Sequence, residues 1–250
     1  MIKRRKNPAQ ERALTILSLL FVPFIPLIVA GECRAYESQP VDNGGSLSGH
    51  VKFKGETPVL QPHKVVHNPE YCGDFVPDES FLVNPVNHGQ KNITVSIEGI
   101  TRGKKHDPEV LLIENSKCRF QPHTLAAMVG DSYEVKNSDP ILHNTHMKMD
   151  DLTVLNVAMP ANGKAIRKPL NQAGLIAIRC DAHTFMNSTL MVFDHPYFAV
   201  SDEDGFYKIS EIPPGKYSVK FWRDGQLIKE KEVNISPREN ANLSIEVSAK

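Results

Sequence analysis

Positive charge is in no surplus in this chain: 29 Lys and Arg are matched by 29 Asp and Glu over 250 residues. That balance leaves no basic footprint for nucleic acid. Helix signals are scarce, and no repeat of solenoid period is visible. Catalytic constellations are missing as well. No Ser–His–Asp arrangement or carboxylate pair stands out, which disfavours a hydrolase. The acidic "DEDG" at 202–205 is too short for an EF-hand, whose ligands span about twelve residues, and reads as an acidic turn. Cysteine is limited to four residues, too few for a disulfide-built scaffold and few enough to assign one by one.

What is present points to strands. Short β-branched or aromatic runs alternate with Gly, Pro, Asn and Asp, the pattern of an all-β chain. The N-terminus stands apart. "MIKRRKNPAQER" is basic, "ALTILSLLFVPFIPLIVAG" is apolar, and "ECRA" offers the small residue Ala35. This order reads as an export signal over 1–35. Pro23 and Pro26 count against a permanent membrane helix. An uncleaved anchor is the alternative, and it is the only membrane attachment this reading allows. Glu32 before Cys33 spoils a lipoprotein site. Removing six Lys/Arg and two Asp/Glu with the signal leaves 23 basic and 27 acidic residues, a net charge of −4 that suits a soluble exported protein.

Cys33 leaves with the signal, so Cys72, Cys118 and Cys180 remain. An odd number in an oxidising compartment leaves one unpaired. Cys180 lies in "CDAHTFM", residues 180–186, beside an imidazole and a thioether. The economical assignment pairs Cys72 with Cys118 and makes Cys180 a metal thiolate, with an inert buried thiol as the alternative.

A second stretch, "VGDSYEVKNSDPILHNTHM" at 129–147, places His143 and His146 upstream. Three strong donors are then available: His143, Cys180 and His183, with Met186 as a soft fourth. Two imidazoles, one thiolate and a weak thioether are the ligand set of a type 1 copper site. Thiolate delocalises charge onto copper, imidazole suits both oxidation states, and a distant thioether tunes the potential. Zinc is the rival, with Asp181 as a fourth ligand by type, but a methionine is useless to zinc. Met186 as plain core is the bland alternative.

These two stretches, "VGDSYEVKNSDPILHNTHM" and "IRCDAHTFMNSTLMVF", resemble the copper-binding segments of cupredoxins, amicyanin and pseudoazurin especially. The resemblance covers about residues 107–194 and implies a Greek-key β-sandwich. By position it implies His143 as first ligand, Cys180 as thiolate, His183 as second imidazole and Met186 as axial ligand. Met191 is the axial alternative under a longer, plastocyanin-like spacing, but it falls inside the run "TLMVFD". Asn144 takes the role of tying the two ligand loops together. The resemblance also implies electron transfer through an exposed edge of His183, with Phe185 near a docking patch. His146 falls at a non-ligand position. His123 has no assigned role.

"FYKISEIPPGKYSVKFW", residues 206–222, reads as a hairpin by turn chemistry. It resembles the carboxypeptidase regulatory-like module, a small sandwich of the carbohydrate-binding-like kind. "GSLSGHVKFKGETP" and "KNITVSIEGI" resemble further strands of it. Residues 45–106 and 195–250 are then expected to form that module around an inserted 107–194. The alternative gives 45–106 to an extended edge of the cupredoxin. "HKVVHNPEYCGDFVPDESF" reads as an irregular loop held by Cys72, with His63 and His67 as scattered surface histidines rather than a second metal site. N-x-S/T triplets start at Asn92, Asn187, Asn234 and Asn242. A glycan at Asn187 would crowd the copper loop, so a bacterial periplasm is favoured over a glycosylating pathway. The expectation is a non-enzymatic carrier of single electrons between redox protein partners, holding one copper ion. An accessory, maturation or binding protein, of the kind grouped with methylamine-utilisation proteins, is the alternative.

Overall fold

A computed structural model describes residues 36–248; the expected signal segment 1–35 lies outside them. Among the described residues strands dominate, and the single α-helix is the one-turn Pro69–Cys72. The expected all-β class is what the chain forms. No helix among these residues is long and apolar enough to cross a membrane.

Two separate apolar cores organise the chain. The first gathers Ile113, Phe120, Val135, Met147, Ile178, Met186, Leu190 and their neighbours, all drawn from residues 111–192. It lies between two sheets. One has the order Ile166–Pro169, Ser132–Asn137, Val110–Ser116, Arg119–Gln121; the other runs Leu152–Met159, His143–Met149, Gly174–Arg179, Asn187–Phe193, Thr124–Met128. Period-two alternation explains the packing. In Ser132–Asn137, Tyr133, Val135 and Asn137 turn inward; in His143–Met149, His143, Thr145, Met147 and Met149 do. Fully burying a side chain such as Ile178 or Leu190 stabilises by about 1.5–3 kcal/mol.

The second core gathers Leu47, Val51, Ile93, Val95, Ile97, Tyr207, Val219 and Phe221. Its sheets are Phe198–Val200, Ile93–Glu98, Gly215–Arg223, Gln226–Ile235 and Phe206–Ile212, Gly45–Phe53, Asn240–Asn242, with Ile245–Val247 also pairing to Gly45–Phe53. Strands from both flanks of the first sandwich therefore build the second. Asp202, in the acidic turn, accepts backbone N–H bonds from Asp204 and Phe206 at 3.0 and 2.8 Å, so its carboxylate serves the turn itself.

Residues 54–92 belong to neither sandwich core for most of their length. Within them His63–Lys64 pairs antiparallel with Phe75–Val76, and Pro69–Cys72 sits at the tip of that small hairpin. A disulfide joins Cys72 to Cys118, Cα to Cα 5.7 Å, as the cysteine count implies. This hairpin is therefore a strap tied onto the first sandwich, beside the residues described next.

Candidate metal centre

The donors arise as continuations of inward-facing rows. Ile176 and Ile178 face the core of Gly174–Arg179, and Cys180 is the next residue of the same parity. Arg179 pairs with Asn187, so 180–186 is the loop of a hairpin. Inside it the Cys180 amide donates to the Met186 carbonyl at 3.3 Å and the Met186 amide to the His183 carbonyl at 2.8 Å. These bonds fold the loop back and bury Cys180, His183 and Met186, each to 1% exposure. His143 opens the adjacent strand, whose His146 pairs with Arg179. Its side chain is of the inward parity and His146 of the outward one. His146 instead meets Asp181 and Thr153 at 3.1 and 3.2 Å.

The result is a buried three-donor cluster. The Nδ1 atoms of His143 and His183 lie 3.1 Å apart, and the Cys180 sulfur is 3.7 Å from His183 Nδ1. Asn144 links the two segments. Its amide N–H points at the Cys180 sulfur at 3.4 Å, its side-chain NH2 donates to Asp181 at 3.0 Å, and its side-chain oxygen accepts the Asp181 amide. Met186 belongs to the same core as Cys180. Met191 lies on Asn187–Phe193 between the core residues Leu190 and Val192, and alternation turns it to the other face.

Electrostatics prepare these groups as ligands. Asp139 is buried, which alone would raise its pKa. Bonds from the Cys118 amide, the Tyr71 hydroxyl, the Lys117 amide and His143 outweigh that and hold its carboxyl below the usual range. The ionised carboxylate accepts from His143 Nε2 at 2.9 Å, which fixes the tautomer and leaves the Nδ1 lone pair free. Burial lowers the pKa of both imidazoles, and for His183 the nearby His143 lowers it further.

That donor set fits a cation. With His143 Nδ1 a bare lone pair, His183 must either turn its own lone pair toward it or donate across. With both lone pairs turned inward the two Nδ1 atoms repel at 3.1 Å, and the His183 Nε2–H is left to the His67 backbone, which acts on the ring from the strap. Two converging imidazole nitrogens and a thiol are relieved by a metal among them, and a soft set of this type suits copper. Cys118, Asp139 and His143 also converge, but the Cys118 sulfur is spent in the disulfide.

Partly similar solved structures include amicyanins and a Cu-containing nitrite reductase. A reduced amicyanin mutant aligns at 21% identity and a TM-score of 0.31, covering 34% of this chain and 82% of its own. Amicyanin from Paracoccus versutus gives 18%, 0.31, 34% and 81%. A Cu-containing nitrite reductase from Thermus scotoductus gives 20%, 0.31 and 37% of this chain, which spans only 24% of that enzyme. No family model matches the chain, and no curated protein does. The reading of the site rests on its own donor atoms.

One expectation is corrected. The His183 edge does not reach solvent; the ring is 1% exposed. Phe185 packs against it with ring centroids 5.8 Å apart, and His63 of the strap stacks on Phe185 at 6.5 Å. Phe185 is thus only partly available as a docking surface. His63 also meets Asp78 at 3.4 Å. His123, without a role in the sequence, is buried and bonded to Asp224 of the second sandwich at 3.1 Å. Sequence reading missed Asp139 and Tyr71. Asp139 stands four residues before His143, in a turn beside proline, where a carboxylate aimed at a ligand imidazole was a recoverable signal; Tyr71 gave none beyond its place next to Cys72.

Proposed function

We propose that the chain is an electron carrier holding one type 1 copper ion on His143, Cys180 and His183, with Met186 as the weak axial ligand. The observation that carries this is the buried cluster of a free cysteine sulfur with two imidazoles whose Nδ1 atoms face each other. Copper held there would supply a one-electron couple between Cu(II) and Cu(I). The protein's residues do the rest. Asp139 holds the His143 ring, Asn144 ties the two donor segments, and its amide directs an N–H at the sulfur. Sheet strands on either side limit how far any donor moves when charge changes. Burial excludes water, which leaves no open position for a substrate and favours a carrier over an enzyme.

The same proposal divides the chain at about 107 and 194, with an inserted cupredoxin-like sandwich and a carboxypeptidase regulatory-like module from the flanks; the two separate cores support it. It takes residues 1–35 as an export signal, the bacterial periplasm as the location, and other redox proteins as partners. Copper titration of the whole chain with voltammetry tests it. One copper per chain and a reversible one-electron couple are expected. Stoichiometric zinc in preference to copper, with no redox couple, would replace it with a structural metal in an accessory or binding protein.

A further inference from the structure

Every hydrogen bond to the Asp139 carboxylate, apart from the one to His143, comes from residues gathered at one disulfide; the Asp139 amide itself donates to Asn137 Oδ1 at 3.0 Å. Tyr71 Oη donates to Oδ1 at 2.8 Å, the Lys117 amide to Oδ1 at 2.7 Å, and the Cys118 amide to Oδ2 at 2.8 Å. Tyr71 is the neighbour of Cys72 on the strap. Lys117 and Cys118 form the tip between Val110–Ser116 and Arg119–Gln121, both in the left-handed region at φ 53° and 54°. The Cys72–Cys118 bond joins these two segments. Two pieces of backbone far apart in sequence are thereby clamped around one carboxylate, whose remaining bond is to His143.

We propose that Cys72, Cys118 and Tyr71 are positioning residues for the metal centre, acting on His143 through Asp139, so that the thiol–disulfide state of the pair sets how firmly the site holds its metal. This rests on the copper reading above. A carboxylate with three fixed donors has one orientation, and so has the imidazole bonded to it. Outer partners of this kind change metal affinity on the order of 10- to 100-fold when lost. The switch is chemically reachable. Cys118 is fully buried, but Cys72 is partly exposed on the strap between exposed Tyr71 and Gly73. A dithiol reductant attacks the Cys72 sulfur, Cys118 leaves as thiolate and takes a proton, and the second thiol of the reagent resolves the mixed disulfide. The reagent ends as a disulfide and the protein as two thiols. The strap is then free to carry Tyr71 away from Asp139.

The test compares the full chain with Cys72→Ser/Cys118→Ser and with Tyr71→Phe, each first checked by circular dichroism. Two readouts are taken: solvent exchange of the His143 Nε2 proton by NMR in metal-free protein, and copper affinity by chelator competition. Opening the disulfide should speed that exchange and weaken copper binding on the order of 10-fold. Tyr71→Phe should move both in the same direction by less, with the disulfide intact. Unchanged exchange and affinity in a folded double variant overturn the inference. If the double variant does not fold, Tyr71→Phe decides alone, and an unchanged His143 proton there overturns it equally. A chain that binds no copper would sink the copper reading, yet the proton exchange would still report on the positioning.

Discussion

At the residue scale the account depends on parity. His143 is an inward position of its strand and Cys180 continues the inward row one residue past the end of Gly174–Arg179, so the core rows that bury Ile178 and Met147 also deliver a thiol and an imidazole to one point. The same logic separates the two methionines. Met186→Leu should keep copper bound but raise the reduction potential, because a weak donor that favours Cu(II) is replaced by apolar volume. Met191→Leu should leave the potential in place and alter stability by less than about 1.5 kcal/mol. Voltammetry of both variants checks this; a shift on Met191→Leu alone would mean the axial ligand is Met191. The residues of the 180–186 loop were legible in the sequence because a hairpin loop is local. Asp139 left a local trace, a carboxylate four residues before His143, but Tyr71 left none, since its bond to Asp139 spans 68 positions and exists only after the strap is placed. The burial of His183 was hidden for the same reason.

Among the elements, the Gly45–Phe53 strand shows why a weak strand former can be required. Asn240–Asn242 and Ile245–Val247 both run parallel to it, and between them the chain passes over Gly49. A Cβ there would stand 2.2 Å from the Leu243 carbonyl oxygen, closer than any relaxed contact. Gly49→Ala should therefore lower the urea midpoint, with a loss of about 1–3 kcal/mol, while copper binding persists because the metal centre belongs to the other core. Undiminished stability would show that the final strands are not seated as described. Alternation made the strands of both sandwiches readable, including Ile93–Glu98, whose continuous burial marks it as central in its sheet. The pairing of 45–53 with the chain's last strands was less readable. Parallel partners nearly two hundred residues apart leave no local trace.

For the whole molecule, the contact to examine is the one between His123 of the first sandwich and Asp224 of the second. Burial pushes the His123 pKa down, but the hydrogen bond and charge of Asp224 outweigh it and hold the imidazole above its ordinary value. The sign follows from linkage. A histidine raised in the folded state gives its stabilisation in full below its unfolded value of about 6.5, and loses it as pH climbs through the folded value. Asp224→Asn should cost about 1 kcal/mol at pH 6, with the gap to the parent chain narrowing under alkaline conditions. A gap that widened with pH would reverse the assignment.

The central claim is that Cys180 and two imidazoles hold copper together. Its most direct measurement is the visible absorption of the full chain loaded with Cu(II), beside Cys180→Ser treated alike. The account predicts an intense thiolate-to-copper charge-transfer band in the parent chain. The band should be absent from Cys180→Ser, while circular dichroism shows the strands intact. A colourless parent chain, or a Ser variant that keeps the band, would contradict it.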